Sequence, residues 1–228
     1  MSTYPHNRQG PNAQAAAISW PSGARAVVDR LLAEDGVRQL DEAEPQLAAY
    51  LELVREWSGL AHLVSERDES NLVERHLIDS LSIAGALQAG LQDGYWLDLG
   101  SGGGFPAIPV KLVLPNAPLV MVERSAKKVG FLRKTVARLG LRDAEIVHAS
   151  FPEQVPERGP GVITMRAIER PERVVAAALE LLAPGGELLA LQREDRMTHD
   201  PTFHVEHVRD GWTDAVLRRG ALLRVRRK

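Results

Sequence analysis

From about residue 95 onwards, short apolar runs alternate with helical patterns, and this alternation limits the possible folds more than any other feature of the chain. Strands that alternate with helices build a mostly parallel sheet with helices on both faces, so the sequence predicts an α/β fold. No long helical stretch separates the last two runs, which predicts an antiparallel pair at the end of the sheet. The seven runs are YWLDLG, PLVMVE, AEIVHAS, GVITMRA, GELLALQ, TFHVEHV and ALLRVRR.

The chain before these runs has a different pattern. Apolar residues recur at helical spacing in SGARAVVDRLLAEDG, which has Ser22 as a predicted cap and Gly36 as a stop, and again in EPQLAAYLELVREWSG and DESNLVERHLIDSLSIAGAL. Residues 1–20 are rich in Pro, Gly, Asn, Gln and Ser, which is typical of a flexible arm. We therefore divide the chain into an arm (1–20), a helical extension (21–92) and a sheet domain (93–228).

Composition excludes several classes of protein. The chain has no Cys, which rules out disulfides, Cys-ligated zinc and Cys nucleophiles. It has no apolar run near 18 residues and no signal-peptide pattern, so we expect a cytoplasmic protein without a membrane span. The net charge of −2 is not that of a strongly basic nucleic-acid binder. However, residues 124–142 contain seven basic residues and no acidic one, and residues 217–228 contain six, which indicates either anion-binding patches or solvated surfaces.

The first strand run leads into a glycine-rich loop, LDLGSGGGF. In an open α/β sheet, ligands bind outside the carboxyl ends of the strands, and glycine lets the backbone approach a ligand closely. A dinucleotide fingerprint fits Gly102, Gly104 and Ala107, but it puts Pro106 and Pro109 at the start of the helix. The sequence therefore predicts a site for a nucleotide-like ligand.

A second register, which begins at Asp98, is the one found in methyltransferases that use S-adenosylmethionine. In it, the Asp98 carboxylate faces the cationic amino-acid end of the cofactor. Glu123 ends the second strand run, 23 residues after Gly100, where a carboxylate accepts both ribose hydroxyls. Ordinary solvation at strand ends explains either acid alone, but the two together favour a methyltransferase over an NAD-dependent oxidoreductase.

Three stretches carry a resemblance to a known family: ERHLIDSL, LGSGGGFPAIPVKLVLP and ERSAKKVGFLRKTVARLGL. Over roughly residues 45–192, the chain resembles the bacterial small-subunit ribosomal RNA methyltransferase G family, also called glucose-inhibited division protein B. The resemblance implies a class I methyltransferase with a Rossmann-like, mostly parallel seven-stranded sheet and an N-terminal helical extension. It also implies transfer of a methyl group from S-adenosylmethionine to a guanine N7 of 16S rRNA, with S-adenosylhomocysteine as product.

The resemblance also assigns site residues. It implies that Glu123 binds the ribose, that Phe151 and Pro152 lie near the adenine, and that Arg166 faces the substrate side. The alternative for Arg166 is a surface arginine that forms an ion pair with Glu169 or Glu172. Transfer to N7 needs no general base, so Arg166 is the one residue assigned to the reaction. The expected cofactor-binding residues are Asp98, Gly100, Ser101, Gly102, Gly104, Phe105, Glu123, Arg124, Ser150, Phe151, Pro152 and Arg166.

His76 and Asp79 lie three apart on one helical face, where we expect them to bind backbone near the glycine loop and to fix the extension to the sheet. The alternative is direct contact with cofactor or substrate. Lys127, Lys134 and Arg138 fall on one side of a predicted helix, and we expect them and the C-terminal arginines to bind RNA phosphates. Other histidines have no metal-ligand spacing with a carboxylate, so we expect no metal; these are His62, His148, His204 and His207.

The chain departs from the family where the substrate is expected to bind. The family's N-L-T reads HLV at residues 62–64, and its K-G after the fifth strand reads Gln192-Arg193. These departures keep open a divergent enzyme that methylates a small molecule, and a cofactor-binding protein without catalysis that binds RNA or the ribosome. For the favoured reading, the expected partner is 16S rRNA or the small ribosomal subunit, and we expect a monomer.

Overall fold

A mostly parallel seven-stranded sheet forms the centre of the molecule, in the order β3-β2-β1-β4-β5-β7-β6. The computed structural model describes residues 17–33, 36–91, 94–151, 159–166, 171–192, 203–208 and 221–227. β1 to β5 run parallel, whereas β7 is antiparallel to both β5 and β6, which confirms the antiparallel end. The strands are β1 (Trp96–Leu99), β2 (Leu119–Glu123), β3 (Ala144–His148), β4 (Val162–Arg166), β5 (Glu187–Gln192), β6 (Phe203–His207) and β7 (Ala221–Arg227).

Helices cover both faces of this sheet. One face packs against the extension, α6 and α7, and the other packs against α8. The helices are α1 (Ala24–Leu31), α2 (Leu40–Ala61), α3 (Glu66–Glu69), α4 (Ile78–Leu81), α5 (Ala84–Gly90), α6 (Ala107–Val113), α7 (Ala126–Leu139) and α8 (Pro171–Leu181), and a π-helical turn (Val73–Leu77) precedes α4. The predicted α/β class and its seven strands are therefore confirmed.

α7 shows how the sequence sets a helix against the sheet. Val129, Leu132 and Leu139 recur at helical spacing and are buried. Gly140 ends the helix at φ 65°, a left-handed conformation that glycine adopts without strain. The opposite side of α7 is left to solvent, and it carries the basic residues.

Three details of the extension differ from the sequence-based predictions. Residues 17–20 are not a free arm, because Ile18 is buried and Trp20 donates a hydrogen bond to Glu44 Oε1 at 2.8 Å; residues 1–16 lie outside the described residues. α1 begins at Ala24 after Gly23, and Ser22 makes no capping bond. The third predicted helix is four short pieces, α3, the π-helical turn, α4 and α5.

The extension shares its core with the sheet. Buried residues of α2 and α4 belong to the same apolar cluster as Phe105, Met121 and Phe131. Burial of apolar surface contributes roughly 25 cal/mol per Å², so removal of the extension would destabilise the sheet domain by exposing the apolar residues of α6 and α7 that it covers. Within the described ranges, no helix is both long and apolar enough to cross a membrane.

Candidate cofactor and substrate site

The glycine loop joins β1 to α6 at the carboxyl end of the sheet. Gly100, Gly102 and Gly104 all have positive φ, at 68°, 55° and 84°. At Gly104, a Cβ would also lie 2.6 Å from Ile108 Cγ1, so space as well as backbone conformation requires glycine. α6 begins at Ala107, directly after Pro106. Proline has no amide hydrogen, but the amides of the first helical turn have no acceptor within the helix. Pro106 and Pro109 are therefore compatible with this turn, although in the sequence they argued against a dinucleotide fingerprint.

Most amides of the loop are already bonded within the protein. The amides of Gly100 and Ser101 donate to Val122 O at 2.9 and 3.1 Å. The Gly104 amide donates to Ser101 O at 2.6 Å, and the Gly102 amide donates to Glu123 Oε2 at 2.8 Å. Loops that bind pyrophosphate present free amides to the anion. This loop instead uses four of its amides within the protein, and the group that the Gly102 amide meets is a carboxylate.

Glu123 holds the loop to the end of β2. One carboxylate oxygen accepts from the Gly102 amide and the other from the Ser125 amide, each at 2.8 Å. The residue is 6% exposed. Each carboxylate oxygen has a second lone pair, so Glu123 is able to accept ribose hydroxyls while it keeps both backbone bonds.

Asp98 is a second buried acid, near the end of β1. Its Oδ1 accepts a hydrogen bond from Thr164 Oγ1 at 2.6 Å, and the Trp96 indole donates to the same hydroxyl at 2.7 Å. Among the described residues, its Oδ2 has no hydrogen-bond partner. Burial raises the pKa of Asp98 to about 6, against the opposing bonds from Ser101 and Thr164. A buried carboxylate with a free oxygen and no cation beside it suits a cationic ligand.

Sequence reasoning missed Trp96 and Thr164 as supports of Asp98. Both lie in strand runs whose pattern predicted only burial. Thr164 is the polar residue inside the apolar run VITMR, and such a residue needs a buried partner. This is the signal that would have found it.

The extension covers the outer side of the loop through two rings. The Tyr50 hydroxyl donates to Gly103 O at 2.6 Å, and the Tyr50 ring centre lies 5.1 Å from that of Phe105. The His76 ring centre lies 5.0 Å from that of Phe105. Phe105 is therefore fixed from two sides, and Tyr50 is a site-supporting residue that the helical pattern of α2 had predicted only as core.

Arg166, at the end of β4, bonds to the extension. It donates to the carbonyls of Arg75 and His76, and to Asp79 Oδ2 at 3.3 Å. The two carbonyls belong to the π-helical turn, whose wider winding directs them away from the usual helical partners. The Arg166 side chain is 17% exposed, so Arg166 is not a surface arginine. Glu169 and the Glu172 side chain lie outside the described residues.

His76 and Asp79 connect the extension to the sheet by other contacts than those predicted. We expected both to bind backbone, but His76 packs on Phe105 and Asp79 accepts from Arg166. Burial lowers the pKa of His76 to about 4, with Arg166 acting in the same direction, so the imidazole is neutral at pH 7. Burial raises the pKa of Asp79 to about 6, although the Arg166 charge opposes this shift.

The ends of β2 and β3 bring three further expected cofactor residues together. Arg124 and Ser150 are exposed and Phe151 is half-buried. His148 joins the two strand ends, with Nε2 3.1 Å from Arg124 O. Pro152 lies outside the described residues.

The basic residues of α7 form an exposed row. Lys127, Lys134 and Arg138 all face solvent, and Lys134 Nζ lies 5.2 Å from the centre of the Trp57 ring on α2. The C-terminal arginines differ from our expectation. Arg224 and Arg226 bond to Glu187, at 2.9 and 2.8 Å, so part of their charge is used within the protein.

The departure at residues 62–64 has a backbone explanation. His62 ends α2 at φ 49°, in the left-handed region, where Asn and His are both enriched. A change from Asn to His therefore keeps the turn, while it places an exposed imidazole there. At the second departure, Arg193 lies outside the described residues.

Among those that are described, no group of three His, Asp or Glu side chains has a geometry that would hold a metal.

Comparisons with known proteins identify the family of the chain. Residues 43–208 match the family described as rRNA small subunit methyltransferase G. The Ribosomal RNA small subunit methyltransferase G of Stenotrophomonas maltophilia is 37% identical over 174 residues, which are 75% of this chain and 78% of the relative. The enzyme of the same name from Marinobacter nauticus is 35% identical over 152 residues, or 67% of this chain and 69% of the relative.

A solved structure supports the fold. A mutant of MtNAS in complex with S-adenosylmethionine is similar with a TM-score of 0.54 at 13% identity, and the match covers 88% of both chains. At this identity, the likeness concerns the fold alone.

Proposed function

Since this chain belongs to the rRNA small subunit methyltransferase G family, we propose that it transfers a methyl group from S-adenosylmethionine to N7 of a guanine in 16S rRNA. One observation of the site carries the cofactor assignment. The loop uses four of its amides internally and has the carboxylates of Asp98 and Glu123 beside it. This arrangement favours a cation and disfavours the pyrophosphate of a dinucleotide.

The cofactor supplies an electrophilic methyl group on a sulfonium. The chain binds and orients it: Asp98 attracts the cationic amino-acid end with its free oxygen, and Glu123 accepts the ribose hydroxyls. Phe105, fixed between Tyr50 and His76, forms a rigid apolar wall that excludes water. Arg124, Ser150 and Phe151 lie at the strand ends where we place the adenine.

Guanine N7 has a free lone pair, so the reaction depends on alignment rather than on proton removal. The product base carries a positive charge, and nearby carbonyls or acids stabilise such a charge. Burial keeps His76 neutral, so it adds no repulsion against that charge. We propose that Arg166 acts mainly by fixing His76 and the π-helical turn, and that Lys127, Lys134 and Arg138 bind phosphates. A substrate of this kind implies a cytoplasmic enzyme, and we expect it to be a monomer.

The test is a methyl-transfer assay with labelled S-adenosylmethionine and small ribosomal subunits from a strain that lacks the related enzyme. We expect label at a single guanine N7 of 16S rRNA. Glu123→Gln should abolish cofactor binding, because an amide oxygen accepts less strongly and its NH2 opposes one of the two backbone amides. Glu145→Gln, at an exposed acid of β3, is the matched control and should bind normally.

Clear cofactor binding without any label on the subunit would exclude the rRNA substrate and would favour a small-molecule acceptor. Absence of cofactor binding in calorimetry would overturn the assignment of the loop itself. Gel filtration with light scattering tests the monomer, which a dimer mass would contradict.

A further inference from the structure

Asp98 has unequal neighbours on the two strands beside it. In the parallel sheet, β4 places Thr164 opposite Asp98 on one side, and β2 places Met121 opposite it on the other. Side chains of paired residues on adjacent strands lie on the same face of a sheet. A thioether donates no hydrogen bond, so of these two neighbours only Thr164 is able to donate to the carboxylate.

Three buried side chains form a chain of hydrogen bonds on this face. Trp96, Asp98 and Thr164 are each at most 1% exposed. The Trp96 indole nitrogen lies 2.7 Å from Thr164 Oγ1, which lies 2.6 Å from Asp98 Oδ1. An indole nitrogen only donates, so the hydroxyl accepts from Trp96. An ionised carboxylate only accepts, so the single proton of the hydroxyl points to Asp98.

This chain of bonds makes the two oxygens of Asp98 different. Oδ1 is bonded to Thr164, whereas Oδ2 is buried and has no hydrogen-bond partner among the described residues. A hydrogen bond to the charged form of an acid favours that form. The bond at Oδ1 therefore helps to keep the carboxylate ionised, while Oδ2 stays available to a ligand.

The other surroundings of Asp98 favour the neutral acid. Burial raises its pKa most, and the Glu123 carboxylate on β2 acts in the same direction. Tyr50 on α2 faces it as an uncharged phenol, because burial and the Asp98 charge both raise the pKa of the tyrosine. The hydroxyls of Ser101 and Thr164 oppose the shift. Of the two, Thr164 donates to the carboxylate, whereas the Ser101 hydroxyl donates to the Asp98 carbonyl at 3.1 Å.

We propose that Thr164 is a positioning residue for the cofactor: with Trp96 behind it, its hydroxyl keeps Asp98 ionised and leaves Oδ2 free for the cationic end of S-adenosylmethionine. Thr164 acts through Asp98 and sets the pH range in which the site binds a cation. This inference rests on the proposed function, because it concerns the same cofactor site. It depends on cofactor binding alone and not on the methyl acceptor.

The experiment measures the Kd for S-adenosylmethionine by calorimetry on the full chain between pH 5 and 8. Thr164→Val removes the hydroxyl and keeps the branched shape, and Thr164→Ser keeps the hydroxyl as the conservative rescue. Thr135→Val is the matched control, because Thr135 is also fully buried and its hydroxyl has no partner among the described residues.

A double variant covers the case in which Thr164→Val does not fold. The single substitution leaves the buried Trp96 indole without its acceptor, which is costly. Trp96→Phe combined with Thr164→Val removes that donor as well. The double variant should show the same pH dependence as the single one.

We expect the Kd of Thr164→Val to exceed that of the wild type about tenfold at pH 5 and to equal it at pH 8, because loss of one hydrogen bond to the charged form raises the pKa by about one unit. The wild-type pKa is about 6. The proteins therefore differ at low pH, where protons compete with the cofactor, and converge where both carboxylates are ionised. Thr164→Ser and Thr135→Val should follow the wild type at every pH.

Two results would overturn the positioning role of Thr164. One is an unchanged Kd in Thr164→Val across the range. The other is a Kd ratio that is the same at every pH, because a purely structural loss weakens the site equally throughout. A shift of the profile in Thr135→Val would count equally against it, since loss of any buried hydroxyl would then suffice.

The same measurements separate this inference from the proposed function. A wild-type protein that binds no S-adenosylmethionine would overturn both. A protein that binds it with the expected pH pattern but labels no 16S rRNA would overturn the rRNA substrate and support the role of Thr164. Labelled rRNA with a Thr164→Val profile like that of the wild type would overturn the role of Thr164 alone.

Discussion

Both ends of the sheet bury a carboxylate, but the two ends satisfy it in different ways. At the carboxyl end, Asp98 is 1% exposed, has neutral partners and keeps one oxygen without a hydrogen bond among the described residues. At the amino end of β5, Glu187 is 4% exposed and binds the guanidinium groups of Arg224 and Arg226. Burial of an acid is therefore no sign of a site by itself. We propose that the unpaired oxygen of Asp98 marks it as the ligand-binding acid of the two.

Glycines show the same contrast. In the loop, Gly100, Gly102 and Gly104 are needed for positive φ. At the amino end, Gly94 and Gly159 have ordinary φ but lie so close to other backbone that a Cβ would come within 3 Å of it. A cavity of about 770 Å³ opens at that end, and the described residues that line it carry no charge. The described lining of this cavity is therefore uncharged, whereas the two candidate site acids lie at the other end of the sheet.

The largest effect is expected from an added methyl group in the loop. Gly104→Ala should lower the free energy of unfolding by about 3 kcal/mol, because left-handed strain adds to the clash with Ile108. It should also weaken cofactor binding more than tenfold. Gly185→Ala is the control, since Gly185 has φ 79° but open space, and should cost about 1 kcal/mol by strain alone. Denaturant unfolding and calorimetry measure both. Equal effects of the two substitutions would mean that the close contact with Ile108 adds nothing to the left-handed strain at Gly104.

Neutralisation of the two acids should change stability in opposite directions. Glu187→Gln should destabilise the protein by about 2 kcal/mol at pH 7, a value reduced for the exposure of Arg226, because two guanidinium groups lose their carboxylate. Asp98→Asn should stabilise it by only about 1 kcal/mol, because the raised folded-state pKa disfavours the ionised form, while the new buried NH2 has no acceptor among the described residues and offsets part of that gain. Urea denaturation measures both changes. A destabilising Asp98→Asn would mean that Asp98 has a structural role like that of Glu187.

The titration of Asp98 predicts how pH affects the cofactor. A folded-state pKa of about 6 means that stability falls as the pH rises from about 4 to 6 and is level above that. Cofactor binding needs the carboxylate, so affinity should rise up to about tenfold per pH unit below 6 and then level off. Calorimetry over pH 5–8 measures this, and Asp98→Asn should flatten the profile. If Asp79→Asn flattens it instead, the titrating group belongs to the extension.

The smallest effect concerns a glycine that belongs to neither end. Gly130 lies inside α7, and a Cβ there would meet open space. Gly130→Ala should stabilise the protein by about 0.5–1 kcal/mol through helix propensity, with cofactor affinity unchanged. Thermal unfolding measures the gain. A loss of methyl transfer at unchanged stability would show that a partner approaches α7 closely at this residue.

Local pattern was enough to predict the framework of the molecule. Each of the seven strand runs lies where the sequence pattern predicted a strand, because the pattern of a buried strand is set within a few residues. The sequence also predicted the glycine loop and the acids at the ends of β1 and β2. Their role depends on the strand-loop-helix turn, which is itself local.

Short elements were harder to predict than long ones. The pattern of residues 68–87 predicted one helix, but the chain forms a π-helical turn between short helices there. The reason is Arg166, which lies 90 residues from His76 and binds the carbonyls that the wider turn releases. A distant partner of this kind leaves no periodic signal in the sequence of the turn.

The sequence by itself determined the α/β sheet, the loop and the two acids, because each depends on neighbours in the chain. The tertiary structure alone decided how those acids are satisfied: Thr164 reaches Asp98 from 66 residues away, and Tyr50 reaches Gly103 from 53. It also decided that Arg224 and Arg226 of β7 form ion pairs with Glu187. These contacts join elements that become neighbours only when the sheet has formed, so their geometry is a property of the packed fold.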